Sequence, residues 1–368
     1  MENQNNKSLV NSAAAFIIIA LLVLLVYYAS HILFPLLLAA LFAILLRPVA
    51  KFLQLKLRFP FLLSIGVAVL LGVALATGIV VFMSVQLSDF MNDLPTIKKN
   101  LLQNVAYVQQ WIDHSFGLNK TAQNEYLNGA VSSSSSVVSL SSFSSITNSL
   151  LYLILIPIYT FLILNYRTLL LGFLMRLVPK KNIENLQAIL VEIKSVVGSY
   201  IVGLLIELVI VATLTSFGLW LVGVKYFIFL GIMTAILNLI PYVGIMAAFV
   251  ISSFIALSGT TEPTIIIGVL GVNVVVQFID NNILIPKVVG SKVSINALAS
   301  MVGVIIGGSL AGISGMFLAI PIIAMMKVVL DRVPTLEPYG YLLGDKLPKT
   351  FDWNNLKISR LIKKKNKK

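Results

Sequence analysis

Residues 226–258 read YFIFLGIMTAILNLIPYVGIMAAFVISSFIALS, and residues 294–330 read SINALASMVGVIIGGSLAGISGMFLAIPIIAMMKVVL. As straight helices rising about 1.5 Å per residue, both would run to roughly 50 Å, well beyond the ~30 Å hydrocarbon core of a bilayer. Each is also broken at its centre, the first by Asn238, Pro241 and Gly244, the second by Gly307, Gly308, Gly312 and Gly315. Proline removes a backbone donor and glycine loosens a helix, so these are places for the chain to turn. The length and the break together predict that each stretch folds back on itself as a re-entrant helical hairpin. Such irregular backbone is tolerated at membrane depth only where protein buries it or where it lines a cavity. The alternative is that each stretch crosses once.

Working outward, the whole chain has the composition of a lipid-facing protein. It is 58% hydrophobic and 11% charged, with a mean hydropathy of +0.97, against roughly 25% charged residues in soluble domains. Apolar runs of spanning length lie at 12–29, 31–46, 61–87, 147–165, 196–222 and 264–286. The fold class expected is therefore an all-α polytopic membrane protein with about six transmembrane helices plus two re-entrant hairpins. If both hairpins are instead single crossings, the count is eight. The net charge of +13 needs no nucleic acid, because lysine and arginine in cytoplasmic loops account for it. The chain has no cysteine, which removes disulfides, thiolate metal sites and cysteine nucleophiles.

Loop charges orient the chain. Arg47, Lys51, Lys56 and Arg58 mark 47–58 as cytoplasmic, and Arg167, Arg176, Lys180, Lys181 and Lys194 mark 167–194 likewise. With the lysine-rich end, this predicts both termini on the cytoplasmic side of a bacterial inner membrane. The insert 88–146, with its serine-rich stretch 132–145, falls outside. With two hairpins, Glu262 lies outside and Lys287 and Lys292 inside, leaving only Lys225 on the less favoured side. The hairpins then enter from opposite faces, an inverted arrangement typical of secondary transporters. Three parts are expected: a scaffold or oligomerisation part at 1–195, a transport unit at 196–330, and a basic cytoplasmic tail at 331–368. The tail meets anionic lipid head groups. Within the scaffold, 166–195 reads as an amphipathic helix lying near the membrane surface.

Polar residues inside the spans are the candidates for function, since a carboxylate at the bilayer centre costs several kcal/mol unless paired or protonated. Glu207 sits near mid-depth of 196–222. Gln277, Asp280, Asn281 and Asn282 form the densest polar patch in any span, suited to a cation through carboxylate and amide oxygens or to a polar solute. The bland reading of that patch is a helix end at the interface, with Lys287 as partner to Asp280. The hairpin tips add Asn238, Pro241, Tyr242 and Gly244 in one, and Gly308, Ser309, Gly312 and Ser314 in the other. Helix ends there would offer free backbone groups to ions or solute. Close packing is the plainer use of the glycines. His31 and His114 are too isolated to argue a metal site. No His-Glu-x-x-His, Gly-x-Ser-x-Gly or Walker loop occurs, so an enzyme is not expected. No cofactor is expected either, and coupling to H+ or Na+ would run through Glu207 or Asp280. A structural or regulatory membrane protein would leave the buried polar residues as unexplained cost.

Four motifs in fixed order carry a family resemblance: Asn238-Leu-Ile-Pro241-Tyr-Val-Gly244, Gln277-Phe-Ile-Asp280-Asn281-Asn282-Ile-Leu-Ile-Pro286, Gly290-Ser-Lys-Val-Ser-Ile-Asn-Ala-Leu, and Gly307-Gly-Ser-Leu-Ala-Gly312-Ile-Ser-Gly315-Met-Phe-Leu-Ala-Ile-Pro321. With them the carboxyl-terminal half resembles the AI-2E (autoinducer-2 exporter) family of bacterial membrane proteins. The amino-terminal half agrees in hydropathy and in the polar insert after the third span. Where the family pattern has a second proline or similar after Gly244, this chain has Ile245–Met246. The resemblance implies a multi-pass inner-membrane transporter that forms homo-oligomers, pentamers having been described. It implies either export of a small polar solute such as the autoinducer-2 quorum-sensing signal or sodium (lithium) ion/proton antiport.

Overall fold

The computed structural model describes residues 27–93, 142–241, 243–259, 262–289 and 294–345, with isolated positions between 17 and 25 and between 95 and 114. Described residues are overwhelmingly helical. In chain order the elements are α1 (Ser30–Lys56), α2 (Phe61–Asn92), α3 (Ser142–Leu177), a 3-10 turn (Lys180–Asn182), α4 (Ile183–Val222), α5 (Phe227–Asn238), α6 (Val243–Gly259), α7 (Pro263–Ile279), a π-helical segment (Asp280–Val289), α8 (Ala297–Arg332) and α9 (Glu337–Leu343). Among the described residues, six helices are long and apolar enough to cross a membrane. The all-α polytopic architecture is as the composition requires.

The membership of those six differs from the sequence reading at three places. The chain does not reverse at residues 27–31, where the runs 12–29 and 31–46 were expected to part. The Ala29 amide donates to the Leu25 carbonyl at 2.8 Å and the Leu33 amide to Ala29 at 2.9 Å, so helical bonding passes through the joint. Ala29, Ser30 and His31 look like a break in sequence, yet none of them removes a backbone donor. Second, 166–195 is not a separate surface helix. Its first part completes α3 and its last part begins α4, with the break at Pro179, whose ring ends helical bonding. The boundary expected at 195 thus falls inside α4. Third, α8 enters the six by length, yet it is the stretch expected to break at its central glycines, and it is broken at Ala311 (φ −148°) and Gly312 (φ +57°, ψ −137°).

At that break α8 folds back. A Cβ added to Gly307 would strike the backbone of Gly315, one on Gly315 would strike Gly307, and Gly303 lies against Ile323 and Ala319. These pairs run antiparallel about Gly312, whose left-handed φ suits glycine. The segment's two ends also meet: Ser294 and Ile295 border one small cavity with Lys327, Val328 and Asp331. The first hairpin turns between α5 and α6, after Asn238 and before Val243. Gly244 is required there, because a Cβ would sit on the Leu237 carbonyl. Its feet meet too, Phe227 and Ile251 packing on one cluster with Ile255.

The long helix α4 organises both hairpins. The feet of α5–α6 pack around Leu219 and Val224, at its carboxyl-terminal end. The feet of α8 lie at its amino-terminal end, where Arg332 reaches the Glu192 carboxylate at 2.7 and 2.9 Å and the Asn185 amide donates to the Arg332 carbonyl at 3.2 Å. Gly218 and Gly268 let α4 and α7 close up, each facing a valine (Val272 and Val222) of the other helix. A second cluster of buried side chains joins α1 and α4 to α8, through Phe34, Leu41, Tyr200, Leu204 and Leu318. Thr160 of α3 donates to the Ala39 carbonyl of α1 at 3.3 Å.

Candidate functional site

Three elements distant in sequence meet at one amide. Glu207 of α4 is 5% exposed and Asp280, at the junction of α7 and the π segment, 1%. The Asn238 side chain, at the end of α5, donates from Nδ2 to Glu207 Oε1 at 2.8 Å and to Asp280 Oδ2 at 3.1 Å. An amide has two N–H groups and both are spent here, one on each acid. No basic side chain borders the adjoining cavity among the described residues. Two carboxyl groups so near one another in an apolar bundle call for a counter-charge, which a proton or a metal cation can supply.

The cavity measures about 360 Å³ and lies between α5, α6 and α7, bordered by Thr234, Asn238, Asn273, Gln277, Phe249 and Asp280 among others. Two of its buried polar atoms, Thr234 Oγ1 and Asp280 Oδ1, have no hydrogen-bond partner in the protein. Buried polar groups are nearly always paired, so these two atoms mark the cavity wall as polar. Asn273 donates to the Ser252 hydroxyl at 2.7 Å, tying α7 to α6. Gln277 donates to Asn281 at 3.0 Å, and Asn282 donates to the Phe278 carbonyl at 2.8 Å. Asn281 and Asn282 are exposed on the cavity's open side.

The site owes its shape to the π segment. Widened turns leave backbone carbonyls poorly matched and are common at functional sites. Pro286 contributes by withholding an N–H, and the Asn282 amide occupies one of the carbonyls of the preceding turn.

The structure therefore brings together Glu207, Asn238, Gln277, Asp280, Asn281 and Asn282. Pro241 and Gly244 stand in the adjoining turn and shape it, while Tyr242 lies outside the described residues. Gly308, Ser309, Gly312 and Ser314 are not at this cavity. Gly308 faces Met316, Ser309 bonds its own helix at Ile305 and is exposed, and Ser314 borders a separate cavity of about 160 Å³ with Ser30, His31 and Leu310. Sequence reasoning missed Asn273 and Thr234. Asn273, Gln277 and Asp280 are spaced i, i+4, i+7, and Thr234 and Asn238 i, i+4, so one-face helical spacing could have found both.

A family model for the AI-2E family transporter matches residues 16–335. The chain belongs to the AI-2E transporter family. AI-2E relatives include the "Putative transport protein YrrI" of Bacillus subtilis (strain 168), 28% identical over 81% of this chain and 86% of the relative. The "Putative transport protein YueF" of the same organism is 26% identical over 82% and 84%. The "Putative permease PerM" of Escherichia coli (strain K12) is 26% identical over 54% and 56%. Membership makes this chain a multi-pass membrane protein of a transporter family.

The AI-2E chain carries a second polar cluster, at the far end of α4. Asp93, just past α2, accepts hydrogen bonds from the Lys225 ammonium and the Tyr226 hydroxyl. The Lys225 bond holds the Asp93 carboxyl below the usual carboxylate range. The same bond pushes Lys225 up. This pairing gives Lys225 a local counter-ion.

Proposed function

We propose that this protein exports a small polar solute, of the size and hydroxyl-rich character of autoinducer-2, by alternating access coupled to H+ or Na+. The observation that carries it is the Asn238 amide shared by Glu207 and Asp280 beside a cavity of about 360 Å³. The acids hold the coupling ion. Asn273, Gln277, Asn281 and Thr234 offer neutral donors and acceptors to the solute. When the ion leaves, repulsion between the acids breaks the amide bridge and frees α5 to move relative to α4 and α7. The protein is a carrier, not an enzyme.

In this reading the two hairpins are re-entrant and enter from opposite faces, with 47–58, 178–182 and the tail 331–368 on the cytoplasmic side of the bacterial inner membrane. The tail rests on anionic lipid. Residues 196–330 move against the amino-terminal helices, which assemble the homo-oligomer, a pentamer by family likeness. Sodium (lithium) ion/proton antiport is the second reading, favoured by the same pair of buried acids and the free Asp280 Oδ1.

The test is transport in proteoliposomes with an imposed pH or Na+ gradient, comparing Glu207→Gln and Asp280→Asn with the native chain. Loss of gradient-driven solute flux in both variants supports the proposal. Na+/H+ exchange without solute flux selects the antiport reading. Unchanged flux in both variants ends the coupling role.

A further inference from the structure

A third concave site lies away from the acids. At the opposite end of α1 from Ser30, Arg47 and Lys51 of α1 and Arg167 of α3 converge on a cavity of about 230 Å³, with Gln54, Ser64 and Phe61 on its walls. Arg47 and Lys51 are four residues apart and so share a helix face. Arg167 is half buried, its guanidinium 5.9 Å from the centre of the Phe61 ring. Among the described residues no carboxylate borders this cavity, and none of the ion pairs there includes Arg47, Lys51 or Arg167. Three like charges lining one small hollow repel one another, and an anion between them relieves that repulsion.

We infer that this hollow is a binding site for the phosphate of an anionic phospholipid. Guanidinium groups match the paired oxygens of a phosphate diester, and a lysine supplies a point charge beside them. The Gln54 amide suits the head group, while the buried Ser64 hydroxyl is spent on the Phe61 carbonyl at 2.7 Å. Leu55, Ile65 and Leu164 complete the wall, and this apolar side favours a lipid over a free ion, which gains nothing from leucine. The exposed apolar flanks of α1 and α2, Phe52 and Leu62 among them, give the acyl chains a surface to follow. The site is separate from the basic tail and does not depend on what the protein transports. A lipid seated here would brace the first three helices against one another, since the bordering residues come from α1, α2 and α3.

The experiment uses the full-length protein in zwitterionic detergent, with thermal unfolding followed by tryptophan fluorescence. Phosphatidylglycerol or phosphatidylcholine is added at equal concentration. The expected result is a midpoint higher by at least ~3 °C with phosphatidylglycerol, with that increment at least halved in an Arg47→Gln/Lys51→Gln/Arg167→Gln variant. The tail is unchanged in the variant, so any increment it contributes is common to both proteins. If the triple variant does not fold, Lys51→Gln alone, at an exposed position, should still lower the increment, while Lys51→Arg should keep it. Equal increments in native and variant proteins overturn the proposal. An equal increment from inorganic phosphate alone, without lipid, overturns the lipid assignment and leaves a soluble anion in its place.

Discussion

The two hairpins solve the same topological problem with different chemistry. The first ends α5 on Asn238, whose side chain reaches two acids on two other helices. The second reverses at Ala311–Gly312 and closes through bare backbone, Gly307 against Gly315. Their feet differ in the opposite sense. Those of the first are joined mainly by apolar packing and the Asp93–Lys225 pair. Those of the second are locked by polar groups: Asn296 caps α8 through the Ala299 amide at 2.8 Å and donates to the carbonyls of Leu342 and Gly344 at 2.7 and 3.0 Å. One hairpin thus has a reactive tip and an apolar base, and the other an inert tip and a polar base. In the proposed mechanism the first is the element that senses bound charge and the second is a fixed wall.

Substitutions should separate the two roles. The largest effect is expected from Gly315→Val, where a side chain would drive into the Gly307 backbone; the second hairpin should not close, and folded yield should collapse. Overpacking of this kind costs about 1–3 kcal/mol or more. Gly172→Val, where a Cβ meets nothing within 4 Å, is the control that should fold. Next, Asn238→Ala leaves two buried acids without their shared donor, a loss of about 1–3 kcal/mol per unsatisfied group. Transport should fall at least ~10-fold while the protein stays folded by size-exclusion chromatography. Ser309→Ala, at the tip of the second hairpin, should change transport less than about twofold, because its hydroxyl returns to its own helix. Equal losses at Asn238 and Ser309 would erase the distinction between the tips.

Smaller effects are expected at the bases. Asn296→Ala removes a helix cap, costing about 1 kcal/mol, and should lower the unfolding midpoint without altering the apparent solute affinity. The smallest effect belongs to Asp93→Asn, which should be read through pH. Asp93 is held low in the folded protein, so its contribution is present above the ordinary carboxylate range and lost as pH falls through the lowered value. Lys225 is held high, so its contribution is present at neutral pH and lost only as strong base deprotonates it. Native protein and Asp93→Asn should therefore differ slightly in stability at pH 7 and converge in acid well below pH ~4. A difference that grows in acid would contradict the pairing.

Much of this was legible in the sequence, for reasons tied to particular residues. Excess length and central Gly, Asn and Pro residues revealed both hairpins, because a bilayer sets a length that a helix must match. Intramembrane Glu207 and Asp280 stood out because charge is costly there. Asn238 was a candidate from its place at a hairpin tip, but that its one amide would bridge both acids was not legible: the partners lie 31 and 42 residues away, on separate helices, and no local pattern encodes that meeting. The π segment left no periodicity to read, as ten residues are too few to tell its wider turn from an α-helix. Asn273 was hidden by counting polar residues along the chain rather than around the helix. The joint at Ala29 misled because Ser30, His31 and Pro35 look like punctuation, whereas a helix tolerates all three when its hydrogen bonds continue.

The proposed mechanism requires the hairpins to enter from opposite sides of the membrane, and the absence of cysteine from the chain makes this directly measurable. Single cysteines at Glu262→Cys and Ser294→Cys would be exposed to a membrane-impermeant maleimide in intact cells and again after permeabilisation. Labelling of position 262 in intact cells, and of position 294 only after permeabilisation, is the predicted result. Labelling of both positions from the same side would contradict the opposed hairpins and, with them, the alternating-access mechanism built on Asn238.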